Sequence, residues 1–411
     1  MKLRLLAAAL AATVVLPLGI ANAADLEVTH WWTSGGEAAA VAELAKAFDA
    51  TGNHWVDGAI AGSGGTARPI MISRITGGDP MGATQFNHGR QAEELVQAGL
   101  MRDLTDVATK EHWKDIIKPS SLLDSCTIDG KIYCAPVNIH SWQWLWLSNA
   151  AFKTAGVDVP KNWDEFVAAA PALEKAGIVP LAIGGQPWQS AGAFDVLILS
   201  LAGKDTFLKV FGDKDEAVAA GPEMAKVFKA ADDARRMSKG TNVQDWNQAT
   251  NMVITGKAGG QIMGDWAQGE FQLANQKAGV DYSCLPGLGV NAVIATGGDA
   301  FYFPLLKDAE KSKAQEALAS TLLDPKTQVA FNLKKGSLPV RGDVDLAAAN
   351  DCMKKGLDIL AKGDVVQWTD QLLSADSQKQ KEDLFSEFFA NPSMTPEEAQ
   401  KRFADIIASA D

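Results

Sequence analysis

Three tyrosines, four cysteines and five histidines are all that a chain of 411 residues contains of these types, against twelve tryptophans. Each shortage closes a route. The few His and Cys show no paired short spacings, so a zinc site is disfavoured. The sequence has no G-x-S-x-G, no H-E-x-x-H and no Walker signature, which removes the common nucleophile-elbow, zinc-hydrolase and phosphate-loop chemistries. No basic stripe offsets the formal charge of -12, so nucleic acid and anionic membrane surfaces are poor partners. After the first residues, no run is both long and apolar enough to cross a bilayer. Internal repeats and low-complexity linkers are also missing, which argues for lobes interwoven by several chain crossings.

What is present begins with an export signal. Lys2 and Arg4 precede an almost unbroken apolar stretch over residues 5–20, and Ala21-Asn22-Ala23 supplies the small-x-small pattern for cleavage. Cleavage near Ala23 into the periplasm is expected, with residues 1–23 as the signal peptide. A membrane anchor fits less well, because no basic stop-transfer cluster follows, and no Cys near the cleavage site supports a lipoprotein. Loss of Lys2 and Arg4 takes the charge to about -14. The nearly 390 residues left exceed the roughly 250–300 that one core supports, so two lobes are expected. With 47% hydrophobic and 21% charged residues, the composition is that of an ordinary folded protein.

Four Cys in an exported chain suggest two disulfides. Cys126 and Cys134 flank an Asp129-Gly130 turn and read as the arms of a hairpin, which would leave Cys284 to pair with Cys352. Three connectivities are open to four cysteines.

The periodicities predict alternating units. Residues 26–30 alternate as a strand, and Ala40, Val41, Leu44, Ala45 and Phe48 follow at helical spacing. A helix over 66–76, a strand over 83–87 and a helix over 90–98 continue the pattern. Such units build a doubly wound α/β layer with a largely parallel sheet. Further on, helices are expected at 149–154, 163–176, 192–201, 222–238 and 311–323. Strands are expected at 179–183, 260–264 and 300–303, and a helical tail from 376 is divided by Pro392 and Pro396.

Ligands of open α/β sheets bind beyond the carboxyl ends of strands. The residues there are therefore the candidates. Trp31 and Trp32 stand at the first strand end, where two adjacent indoles do not both fit one core comfortably; one or both are expected to stack on the C–H face of a pyranose. Glu37 lies close enough to accept hydroxyl hydrogen bonds. Strand alternation puts Gln85 and Asn87 on one face, and amides suit clusters of neutral hydroxyls; His88 follows in the turn. Asn138 and His140 precede Trp142, Trp144 and Trp146, whose alternation reads first as core or lobe-interface packing. Further islands are Gln186-Pro187-Trp188-Gln189, Asp245-Trp246, Met263-Gly264-Asp265-Trp266, Gly298-Asp299-Ala300 and Lys335-Gly336-Ser337-Leu338-Pro339-Val340-Arg341.

In their order along the chain, these islands resemble the extracellular solute-binding proteins that feed ABC-type sugar importers, the maltose-binding-like group, and within it the glucose/mannose-binding branch. The resemblance implies a two-lobe periplasmic-binding-protein fold with a multi-segment hinge and a ligand cleft between the lobes. One lobe is expected from 24–138 plus about 295–340, the other from about 139–294 plus 341–411. Carried over, Trp31 or Trp32 and Trp246 would stack on the sugar, while Glu37, Gln85, Asn87, Asp299 and Lys335 would bind its hydroxyls. A late His in a Ser-x-x-His stretch is common among the glucose binders. Here the region reads Val366-Gln367-Trp368-Thr369-Asp370-Gln371, and Trp368 or Asp370 is expected to take over that contact.

The expected function is capture of a small sugar, glucose or a hexose such as mannose or galactose, and delivery to the permease subunits of an ABC importer. The protein is expected to be a monomer without cofactor, metal or catalysis. A binder of a disaccharide or other glycoside is the alternative. A secreted glycosidase with Glu37 and Asp299 as acid and base is a weaker one, since no carboxylate pair sits in a clearly apolar setting. A polyamine receptor would carry more acidic residues among its aromatics.

Overall fold

The computed structural model describes residues 23–411, so the expected leader, apart from Ala23, lies outside the described residues. The strands are β1 Asp25–His30, β2 His54–Ala59, β3 Ala83–Asn87, β4 Thr127–Ile128, β5 Lys131–Ile132 and β6 Cys134–Pro136. They continue with β7 Trp144–Ser148, β8 Val179–Leu181, β9 Ala258–Met263, β10 Tyr282–Pro286, β11 Ile294–Ala295, β12 Asp299–Tyr302 and β13 Val365–Val366. Two main sheets result, ordered β2-β1-β3-β12-β6 and β10-β7-β9-β8.

In the first sheet β1 runs parallel to β2 and β3, as the alternating units predict, but β12 enters antiparallel between β3 and β6. Its register sets Asp299 opposite Asn87 and Phe301 opposite Gln85. The second sheet departs further from the expected parallel layer, because β7 is antiparallel to both β10 and β9, and only β8 and β9 run parallel. The edge strand β2 went unread in the sequence. Only Trp55 of its six residues is buried, so no alternation announces it.

Helix α1, Gly35–Asp49, contains the residues set at helical spacing and starts behind Ser34 as N-cap, with a capping box closed by Glu37. Its apolar stripe, Ala40, Val41, Leu44 and Phe48, packs into the core beneath the first sheet with Trp32, Trp55, Phe301 and Phe331. Helix α2 is Ser63–Thr76. The helix expected at 192–201 begins earlier, at Pro187, where a ring without N–H suits the first turn, and gives way at Ile198 to a π-type turn through Ala202. The second core is larger and receives Phe385, Phe388 and Phe403 from the two C-terminal helices, Ala375–Ala390 and Pro396–Ser409.

Both expected disulfides are present. Cys126–Cys134 closes the feet of the β4–β5 hairpin, and Cys284–Cys352 ties β10 to the helix Asp351–Ala361. The chain leaves the first sheet between β6 and β7 and re-enters it between β10 and β12, where β11 pairs with the late strand β13. No helix among the described residues is long and apolar enough to cross a membrane.

Candidate functional site

A cavity of about 610 Å³ opens between elements of the two sheets. Trp31, Glu37, Asn87, Asp299 and Lys335 line it from the first sheet and its connections. Trp142, Trp188, Trp246, Trp266 and Trp368 face them, and His140 stands in the crossing segment between β6 and β7.

Asp299 is the most constrained group. It starts β12 and is only 2% exposed. Gln85 Nε2 donates to its Oδ1 at 2.7 Å, and Asn138 Nδ2 and His140 Nδ1 donate to its Oδ2 at 3.0 and 3.1 Å. Its backbone N–H in turn donates to Asn138 Oδ1 at 2.7 Å. A carboxylate offers about four lone-pair sites, so three donors leave one for a ligand hydroxyl. Burial pushes this carboxyl up, but the charges of His140 and Lys335 and the donated hydrogen bonds outweigh it and hold it at about 2. Burial likewise pushes His140 down, and the Asp299 charge reverses that, leaving the imidazole raised.

Beside this group Lys335 Nζ donates to Glu37 Oε1 at 2.8 Å, with both side chains buried. Lys335 closes the helix Pro325–Lys335, and Gly336 follows in the left-handed region at φ 87°, which turns the chain away and leaves the ammonium beside the cavity. Two ammonium N–H groups and the second Glu37 oxygen remain for other partners; that oxygen accepts only the Ser34 backbone N–H, at 3.3 Å.

The aromatic wall is built edge to face. Trp266 meets Trp142 at a ring-centre distance of 5.0 Å and an angle of 89°, and Trp246 at 6.4 Å and 88°. Trp142 also stacks on Trp368 at 6.2 Å and 16°. Gly192 permits this arrangement, since a Cβ there would come within 2.3 Å of the Trp142 ring. Such walls present flat apolar faces whose rims are held by their neighbours.

The structure sorts the residues singled out in the sequence into two groups. Trp31, Glu37, Asn87, His140, Trp246, Asp299, Lys335 and Trp368 line the cavity. Trp32 touches it too, but is 2% exposed and packs against Phe301 and Phe331 at 5.7 and 5.3 Å, so it forms the floor of the core. Gln85, His88 and Asn138 are fully buried and are not among the residues that line the cavity. The antiparallel entry of β12 places Asp299 over that face, and the two amides are used in holding it. His88 is fully buried, with Nδ1 near Ser125 Oγ and Gln371 Nε2 at 2.8 and 3.2 Å. Burial, aided by the His140 charge, pushes it down to about 3.

Trp142, whose alternation reads first as core or lobe-interface packing, is buried in the second core and also lines the cavity; β7 begins only at Trp144, so the strand alternation does not reach it. Trp188 and Trp266 lie in islands that the sequence marks, yet their aim into the cavity depends on helices whose facing is not legible there. Among the described residues no group of three or more His, Cys, Asp or Glu is arranged to hold a metal ion.

Residues 32–329 match the family model described as bacterial extracellular solute-binding protein. A probable sugar-binding periplasmic protein of Brucella melitensis is 40% identical over 344 residues, covering 82% of this chain and 80% of that one. Among solved structures, the bacterial solute receptor AcbH, described as having an exclusive preference for β-D-galactopyranose, superposes with a TM-score of 0.77 at 21% identity, covering 93% of this chain and 98% of that one. A chitin oligosaccharide binding protein superposes equally well, with a TM-score of 0.77 at 19% identity, covering 95% and 99%. At these identities the two structures establish the two-lobe fold, while the family match spans most of the chain. The protein belongs to the bacterial extracellular solute-binding proteins.

Proposed function

We propose that this protein is the periplasmic receptor of an ABC importer and that it captures a sugar through one hexopyranose, glucose or a close epimer such as mannose or galactose. The observation that carries this reading is the single open acceptor position on Asp299, set among indole faces and beside the Glu37–Lys335 pair. A pyranose has an apolar C–H face for stacking and a rim of hydroxyls that both donate and accept. Carboxylate and ammonium together match that rim with charge-assisted hydrogen bonds. Trp31 and Trp246 are the stacking surfaces in this scheme, Trp368 backs the wall from between the Trp142 and Phe207 rings, and Asn87 and His140 flank the hydroxyls.

The two lobes, 24–138 plus about 295–340 and about 139–294 plus 341–411, close on the ligand as hinged bodies. Supporting this, α1 and the helix Ala267–Leu273 meet across the cleft: Gly36 N–H donates to Glu270 Oε1 at 2.8 Å. Ser63 Oγ likewise reaches Gln186 Oε1 at 3.4 Å. The closed monomer then docks on the permease subunits.

Hydrolysis of the sugar is the poorer reading. A glycosidase acid needs a raised pKa, whereas Asp299 is held at about 2 and Glu37 is ion-paired with Lys335. A thermal-shift screen over monosaccharides tests the proposal, because a ligand that binds only the folded state raises the melting temperature. Glucose, mannose or galactose should produce such a rise, and no product should form on incubation. A screen in which no sugar shifts the transition would sink the reading.

A further inference from the structure

We propose that Gln186 is a positioning residue: its side-chain amide fixes two tryptophans of the cavity wall, Trp188 and Trp246, and takes up Ser63 from the other lobe when the cleft closes. This rests on the sugar reading above and adds to it the group that orders the stacking surface.

The geometry converges on one amide. Gln186 stands just before the helix Pro187–Leu197 and is half-buried. Its Oε1 accepts from Trp188 Nε1 at 2.9 Å and from Gln189 Nε2 at 3.2 Å. Its Nε2 donates to Asp245 Oδ1 at 2.9 Å. Asp245 is the N-cap residue of the helix Trp246–Ile254, so the amide joins the starts of two helices, and each start sets an indole on the wall. Both indoles pack on Trp266, with ring centres 6.5 and 6.4 Å away. Close approach of the two loops depends on glycine. A Cβ on Gly184 would lie 2.6 Å from the Gln244 carbonyl oxygen, and one on Gly185 would lie 2.6 Å from Gln244 Oε1. An indole tied by its N–H keeps its ring plane, which is what a stacking face requires.

The second observation comes from across the cleft. Ser63 is the first residue of α2 and has φ 62°, in the left-handed region that non-glycine residues seldom occupy. Held conformations of this kind cluster at ligand clamps and switch regions. A Ser at a helix start commonly serves as its cap, but α2 has no side-chain cap. The hydroxyl donates instead to Gln186 Oε1 at 3.4 Å. A carbonyl oxygen has two lone pairs, and Trp188 and Gln189 already use them. Ser63 is therefore a third and longer donor, added to an arrangement that the other lobe makes by itself. The wall is ordered before closure, and closure gains one contact on it. A surface ordered in advance loses less freedom on binding, so Gln186 acts on sugar affinity through the rings it holds.

Two measurements test this: solvent exchange of the Trp188 indole N–H without ligand, and calorimetric titration with the sugar that raises the melting temperature in the screen above. The indole signal is identified by its loss in Trp188→Phe. Gln186→Met removes both arms of the amide at similar length. It should speed the exchange at least about tenfold and weaken the sugar at least about tenfold. Gln186→Glu keeps an acceptor oxygen but gives up the donor to Asp245, so the exchange should stay within about threefold of the parent while affinity still falls. Ser63→Gly deletes the hydroxyl and suits φ 62°. It should hold or raise the melting temperature without sugar and yet weaken the sugar about threefold. In the Gln186→Met background the same change should lower affinity no further. Unchanged exchange in Gln186→Met overturns the positioning, and so does sugar affinity there that equals the parent's. Equal losses from Ser63→Gly in both backgrounds overturn the contact across the cleft. If no sugar binds the parent chain, the sugar reading falls, and the ligand-free exchange alone decides the positioning.

Discussion

Three donors converge on Asp299, and none of them is itself placed to meet a ligand as directly as the carboxylate they hold. Replacing Asp299 by Asn puts an N–H donor where one carboxylate oxygen accepted, so a donor that faces it loses its partner. The expected cost in sugar affinity is about 1–3 kcal/mol, the scale for an unpaired buried polar group. Titration of the variant against the parent checks this, and an unchanged Kd would remove Asp299 from the site. A second carboxyl behaves in the opposite way. Burial lifts Asp265 to about 8, against the Ser141 backbone N–H and the His140 and Lys335 charges. In the unfolded chain it titrates near about 3.9, so the folded state keeps a proton that the unfolded state releases. The stability linked to this group is complete below about pH 3.9 and falls by about 1.4 kcal/mol per pH unit until about pH 8. Asp265→Asn should therefore raise the melting temperature at pH 7 and give little gain at pH 4; a gain independent of pH would contradict the assignment. At this scale, residue type was legible and residue role was not. Gln85 and Asn138 carry the chemistry expected of hydroxyl binders, but only the strand arriving from residue 299 shows that their amides are already committed. Trp142 reads as core or lobe-interface packing, and its place on the cavity wall is not legible from the pattern. Alternation ties it to Trp144 and Trp146, and a change of backbone course just before β7 releases it.

At the scale of elements, local signals and long-range pairing separate cleanly. The helical spacing from Ala40 to Phe48 and the Asp129-Gly130 turn are read from a few neighbouring residues. The strand β2, with one buried side chain, and the antiparallel course of β7 depend on partners far along the chain, so no local pattern carries them. The contact between α1 and the helix Ala267–Leu273 belongs to the second kind and is close enough to be tested. A Cβ on Gly36 would lie 2.6 Å from the Gly269 carbonyl carbon and 2.9 Å from the Glu270 backbone nitrogen. Gly36→Ala should prop these helices apart and lower sugar affinity about tenfold by disfavouring the closed state. Because α1 itself tolerates Ala, the melting temperature without sugar should change little. Small-angle scattering with saturating sugar should show a larger radius than the parent. Normal affinity would mean that this contact is not part of closure.

Over the whole molecule, two covalent links divide the stabilising work unequally. Cys126–Cys134 spans 8 residues and Cys284–Cys352 spans 68. Loop-closure entropy then assigns about 2.5 kcal/mol to the first and about 4.4 kcal/mol to the second. Urea unfolding of the two paired Cys→Ser variants should show the larger loss for Cys284→Ser/Cys352→Ser, and the reverse order would count against the entropic account. The first sheet adds a consequence of its own. Its central strands lie near the start of the chain, yet the strand that joins β3 to β6 is β12, Asp299–Tyr302. Any chain ending before that strand leaves β3 with an open edge and β6 without a neighbour. A polypeptide exported N-terminus first therefore arrives with its leading lobe unfinished. Non-local pairing of this kind is slow to form, so the topology that builds the cavity also delays the folding that would obstruct passage through the membrane.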